Sequence, residues 1–300
     1  MLWIPFTLLA SAAQVLRNGA QASLTEKIGT LGATQVRFVF GLPFAILFLL
    51  AALALFGEPL PAVPPASLLW GLLGACSQIA ATALMLVVMH RRAFGVAYAY
   101  IKTEPVLVAV FGVIFLGDHL RPLGWAAVFV VTAGVLIASV SPRDFGKLFH
   151  ERNMIAAGVT SGALFGLSAI AFRAAIDGIA SGGFIVRSLE MLVVTLAIQT
   201  SLLGIWLFWR DRAAFAGSLR EWRASIGAGF LGALASAGWF CAFALTPAAN
   251  VRTLGLVEMP IAALLSGRLT GKKTSRHEAA GLGIVGVGIL MLLWTAAKAG

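Results

Sequence analysis

Charge is what this chain has least of. Only 11% of its 300 residues are Asp, Glu, Lys or Arg, against roughly 25% in a typical soluble domain. So few charges cannot wet the surface of a soluble core of this size, and they exclude disordered and coiled-coil classes as well. Cysteine is nearly absent. Cys76 and Cys241 lie deep in separate apolar stretches with no CxxC between them, so neither a disulfide framework nor a metal site is expected. The N-terminus lacks a basic leader, since the first basic residue is Arg17, inside the first apolar run. A cleaved signal peptide is therefore not expected. HExxH, nucleophile-elbow, aspartate-rich and Walker motifs are missing too. The glycine pattern Gly281-Leu282-Gly283-Ile284-Val285-Gly286 follows no strand, so it reads as helix packing rather than dinucleotide binding. No cofactor and no enzymatic activity are expected.

What the chain has instead is apolar length. Hydrophobic residues make up 60%, and the mean hydropathy is +0.94. A bilayer core needs about 20 apolar residues per helix. Runs of that size lie near 3–22, 33–56, 66–89, 94–116, 122–141, 154–175, 184–208, 222–244, 249–268 and 277–297. They are too long and too little alternating for barrel strands. The expected fold is therefore an all-α integral membrane protein with ten transmembrane helices and no soluble domain. The formal charge of +10 belongs to insertion topology rather than to nucleic-acid binding. Fourteen of the 22 basic residues fall in alternate loops, among them Lys27, Arg91, Arg92, Arg210, Arg212, Arg220, Arg223 and Arg276. The positive-inside rule puts those loops in the cytoplasm and both termini outside.

The two halves repeat one another. A shift of 154 lays Glu104-Pro105-Val106 over Glu258-Met259-Pro260, Gly117 over Gly271, and Gly134 to Ile137 over Gly288 to Met291. A shift of 150 lays Arg37 over Arg187. The first repeat covers 1–141, an amphipathic link covers 142–153, and the second repeat covers 154–300. Five helices per repeat is an odd number, so the second enters the bilayer inverted, the arrangement of transporters that bind substrate near the midplane.

Candidate site residues follow from the cost of polar groups in lipid. Glu104 and Glu258 sit near mid-depth beside Pro105 and Pro260, which are expected to kink their helices. Lys102 is the one lysine inside a run, and an internal ion pair, with Glu258 as its partner, is its plainest role. Helical spacing puts Tyr98 over Lys102 and Tyr100 over Glu104. Gln14 and Arg17 form a polar patch on the first helix with Asn18, and Gln78 marks the third. Phe165 stands beside the small-residue stripe Gly158, Gly162, Gly166. Ser236, Trp239 and Phe240 share the eighth helix, where Trp239 is the deepest tryptophan. Stripes of small residues are more often close-packing surfaces than cavity linings.

These features resemble the drug/metabolite transporter superfamily: two five-helix halves, each closing with a Glu-Pro-like element, a Gly-acidic or Gly-basic turn and a last helix reading Gly-Val-(Leu/Gly)-Ile. Among its members the chain resembles ten-helix EamA-type exporters, and bacterial aromatic amino-acid exporters in particular. The resemblance implies a basket-shaped bundle with a cavity lined by the first, third and fourth helices of each half. It also implies an inner-membrane, multi-pass secondary transporter exporting amino acids or similar small amphipathic metabolites, acting as a monomer in the lipid bilayer. Efflux of lipophilic cations is the alternative, and a membrane-embedded enzyme is a more distant one. The Gly117-Asp118 and Gly271-Lys272 turns depart from the usual Gly-Glu. Reporter fusions at Gly300 and in the link should show the C-terminus extracytoplasmic and the link cytoplasmic. An active cytoplasmic reporter at Gly300 would reverse the orientation.

Overall fold

A computed structural model describes residues 1–91, 100–141, 152–270 and 275–298. Among the described residues there is no strand. The helices are α1 Trp3–Val39, α2 Gly41–Phe56, α3 Pro65–Arg91, α4 Glu104–Leu116, α5 Pro122–Ser139 and α6 Arg152–Asp177, followed by α7 Phe184–Arg210, α8 Arg212–Arg220, α9 Trp222–Phe243, α10 Ala248–Gly255, α11 Glu258–Thr270 and α12 Arg276–Ala297.

Among the described residues, eight stretches are long and apolar enough to cross a membrane: Lys27–Phe56, Pro65–Val88, Pro122–Ser139, Arg152–Asp177, Phe184–Arg210, Trp222–Phe243, Ala248–Leu265 and Arg276–Ala297. Each coincides with one of the ten apolar runs. The first run forms the N-terminal limb of α1, where Gln14, Arg17 and Asn18 interrupt its apolar character. The fourth contains the shorter apolar helix α4, which a turn at 102–103 separates from helical Tyr100 and Ile101; residues 92–99 lie outside the described residues. So do most of the link and the Gly271-Lys272 turn.

Local chemistry sets the breaks. Gly29 has φ 71 and ψ 169, which splits α1 into two limbs. A side chain would make that conformation costly. Gly117 closes α4 at φ 66, and the Asp118 amide reaches back to the Gly112 carbonyl at 3.0 Å. Asp211 caps α8 by accepting from the Ala214 amide at 3.0 Å. Ser275 and Glu278 form a capping box at the start of α12.

The chain forms two compact units, and each draws on both sequence halves. Unit 1 comprises Met1–Ile4, Ala80–Ile170 and Thr246–Gly300, and unit 2 comprises Pro5–Ile79 and Ala171–Leu245. In unit 1, α5 and α12 pack through glycine. A Cβ on Gly134 would meet the Val285 amide nitrogen and the Gly281 carbonyl oxygen, and one on Gly288 would meet Val131 and the Ala127 carbonyl oxygen. The two sets of neighbours exchange under the 154-residue shift, which carries Gly134 to Gly288, Val131 to Val285 and Ala127 to Gly281. The contact is therefore reciprocal about the repeat. Val131, Val135, Leu256 and Val285 complete a buried cluster there.

In unit 2, α2, α7 and α9 pack on one another. Gly229 lies against Phe40, and Gly238 against Phe6 and Ala10. Outward surfaces in both units are apolar, with Leu55, Leu69, Ile114, Leu264 and Leu290 exposed, as a lipid-facing surface requires. Gly281→Ala should cost about 1–3 kcal/mol of stability by forcing α5 from α12, because its Cβ would strike the Ala138 amide nitrogen and the Gly134 carbonyl oxygen. Gly283→Ala meets nothing within 4 Å and should be neutral or stabilising in a detergent melt.

Candidate functional site

Both glutamates of the repeat stand at helix breaks. Tyr100 and Ile101 are helical, Lys102 and Thr103 form a turn, and α4 starts at Glu104. Likewise α10 ends at Gly255, Leu256 and Val257 form a turn, and α11 starts at Glu258. The two turns, 102–103 and 256–257, are related by the same 154-residue shift as the glutamates. Pro105 occupies the first turn of α4, where its missing amide costs nothing, and Pro260 lies in the first turn of α11. The prolines thus open new helices rather than kink continuous ones. Each carboxylate sits at a helix N-terminus, where the peptide dipoles favour negative charge.

Each glutamate is met by a cation from the other half. Lys102 Nζ donates to Glu258 Oε1 at 2.5 Å, and Arg252 donates to Glu104 Oε1 from Nε at 2.6 Å and from an Nη at 2.5 Å. The four side chains are 4–19% exposed. The pairs cross between the two sequence halves, so both broken helices are tied at their breaks. Lys102 takes the internal partner expected of it. The expected stacking of Tyr100 over Glu104 assumed a continuous helix, and the turn at 102–103 breaks that register. Tyr98 lies outside the described residues.

A glycine face on α6 holds the first break in place. A Cβ on Gly158 would strike the Tyr100 side chain, on Gly162 the Ile101 carbonyl, and on Gly166 Val108. This stripe is a close-packing surface. The Thr103 hydroxyl donates to the Tyr100 carbonyl at 2.8 Å, closing the turn. Tyr100 is buried with Val88, flanked by Ile155 and Ala157. Phe165, on the same helix, is half-buried.

Unit 2 holds a second polar group. Gln78 Oε1 accepts from Gln199 Nε2 at 2.7 Å and from Arg37 Nη2 at 3.3 Å. Trp239 Nε1 donates to Gln14 Oε1 at 3.2 Å. Arg17 and Arg37 both flank Gly232 on α9, and Arg17 donates to Asn18 at 2.8 Å. Phe240 packs against Phe172 in a tilted pair with centroids 4.9 Å apart, while Ser236 is buried three residues before Trp239. The sequence separates Arg37 from the amides, toward a helix end. The fold brings them together, because α1 resumes after Gly29 and carries Arg37 alongside Gln78.

Several residues escape a reading of the sequence alone. Arg252 counts there only as a basic residue of the outer face, and Gln199 and Phe172 carry no signal. Glu190 is the clearest omission. It lies inside α7, is 6% exposed, and its Oε2 has no hydrogen-bond partner. An ionisable residue well inside an apolar run was the available cue.

Removing one partner of a buried pair strands a charge, at a cost of about 3–5 kcal/mol. Glu104→Gln and Glu258→Gln should therefore each lower the melting temperature of the purified protein strongly. Glu190→Gln removes a buried carboxyl without breaking a pair, and should leave the melt unchanged or raise it. Equal losses in all three would contradict this ranking.

Residues 1–140 match the EamA-like transporter family, a segment that ends with α5. No curated protein matches the chain. Twenty-eight chains of solved structures do. One is a crystal structure described only as that of a protein, which covers 99% of this chain and 97% of its own at TM-score 0.72 and 15% identity. At that identity the likeness is one of fold, and it covers nearly the whole chain, whereas the transporter family is matched by residues 1–140.

Proposed function

We propose that the chain is a secondary exporter of amino acids or similar small amphipathic metabolites, working by alternating access through a central cavity. Two inverted repeats, an inner-membrane location and extracytoplasmic termini complete this reading. The observation that carries it is the recurrence of a broken helix at 102–103 and 256–257, each break followed at once by a glutamate. Discontinuous helices of this kind are where transporters place their binding and coupling groups. The family matched by residues 1–140 supports the coarser statement, a membrane transporter of small solutes.

The side chains favour a solute with charges of both signs at one end and an apolar body. Lys102, Glu104, Arg252 and Glu258 form a charge-balanced set. Gln14, Gln78, Arg17 and Arg37 offer amide and guanidinium donors suited to a carboxylate. Trp239, Phe240 and Ser236, with Tyr98, Tyr100 and Phe165, supply aromatic surface and hydroxyls. A lipophilic cation would call for uncompensated carboxylates instead.

Purified protein in liposomes should exchange phenylalanine or methionine across the bilayer without ATP. Trp239→Ala should raise the KM for phenylalanine about fivefold more than that for alanine, since an aromatic contact is worth about 1 kcal/mol. Flux of lipophilic cations with no amino-acid exchange would overturn the proposal.

A further inference from the structure

Away from both polar groups, unit 2 carries an open groove of about 400 Å³ where α1, α7 and α8 meet. Its walls include Val39, Ile205, Phe208, Trp209, Phe215 and Leu219. Four of these face outward: Trp209 is 75% exposed, Ile205 59%, Phe208 46% and Leu219 45%. The volume falls within the ordinary range for small-molecule sites, and the opening faces the lipid.

Two features distinguish this groove from a chance gap between helices. The first lies on its floor. Gln35 is 1% exposed and uses its Nε2 on the Thr200 carbonyl at 3.1 Å. Gln35 and Thr200 both line the groove, and the Gln35 Oε1 and the Thr200 hydroxyl, both buried, have no hydrogen-bond partner. Buried polar atoms are normally satisfied, so the Thr200 hydroxyl lacks an acceptor that an occupant would bring.

The second feature is the charge of the rim. Arg210, Arg212, Arg220 and Arg223 are exposed at the ends of α7, α8 and the start of α9. The two acids among them are already engaged: Asp211 caps α8, and Glu221 pairs with Lys27 at 3.5 Å. Arg212 lies over the Phe208 ring at 5.3 Å, so a guanidinium stands directly above a groove wall. Trp209 and Trp222 beside it match the aromatic belt of a membrane interface.

We propose that this groove is a binding site for one anionic phospholipid. An acyl chain lies along Ile205, Phe208, Trp209 and Leu219, the phosphate meets Arg212 and Arg220, and a glycerol-ester carbonyl accepts from the Thr200 hydroxyl. Basic pockets between transmembrane helices recognise anionic headgroups in this way. The site needs only that the chain sits in a bilayer, and it is independent of the solute transported.

Native mass spectrometry of the full-length protein in detergent, titrated with phosphatidylglycerol or phosphatidylcholine, tests it. One phosphatidylglycerol should be retained with at least a tenfold preference over phosphatidylcholine. The double variant R212Q/R220Q should abolish that preference while its melting temperature stays unchanged. Thr200→Val should weaken phosphatidylglycerol retention severalfold without altering the preference for charge. Equal retention of the two lipids by the native protein would overturn the assignment. So would an undiminished preference in R212Q/R220Q, or a dimer that buries α8 and excludes lipid.

Discussion

A carboxylate buried in a membrane protein must be met by a positive charge or lose its proton-free form, and two such carboxylates dictate the centre of unit 1. Glu104 and Glu258 open half-helices whose dipoles already favour them, yet a dipole alone is worth less than desolvation takes away. Lys102 and Arg252 make up the difference. Since each cation comes from the opposite half of the chain, neither half can satisfy its own glutamate. The two halves are thereby interdependent at the position where both helices are broken. The breaks in turn depend on backbone that can approach closely, which is why α6 presents glycine rather than larger residues to Tyr100 and Ile101.

Packing elsewhere in unit 1 obeys the same repeat. Gly134 against Val285 and Gly288 against Val131 are one contact made twice, and so are the turns at 102–103 and 256–257. The charges do not repeat in this way. The shift carries Lys102 to Leu256 rather than to a basic residue, and Arg252 stands six residues before Glu258 where Lys102 stands two before Glu104. The two turns and the two glycine contacts follow the 154-residue shift, whereas the cations do not. Unit 2 contains Gln14, Gln78 and Gln199 with Arg17, Arg37 and Trp239.

Much of this was legible in the chain. Apolar runs located the spans because lipid demands length, and the 154-residue shift located Glu104 and Glu258 because ionisable residues in lipid are rare. The partner of Lys102 could be named because few opposite charges lie at mid-depth. What stayed hidden depended on tertiary geometry. Helical spacing across 100–104 implied a continuous helix, and nothing local announced the turn at Lys102. Proline beside each glutamate was consistent with a kink as well as with a new helix start. Arg37 looked peripheral because its distance from Gln78 is set by the bend at Gly29, forty-nine residues earlier in the chain than Gln78. Glu190 has no counterpart under the repeat, so a search for symmetry passed over it.

The crossed pairing of the two breaks is measured most directly by double-mutant cycles on thermal unfolding, one for Lys102→Met with Glu258→Gln and one for Glu104→Gln with Arg252→Met. Residues in one ion pair couple by about 0.5–3 kcal/mol, whereas independent sites add to within about 0.5 kcal/mol. Crossed pairs predict strong coupling in both of these cycles and additivity when Lys102→Met is combined with Glu104→Gln after correction for their shared neighbours. Additivity in the first two cycles would contradict the account.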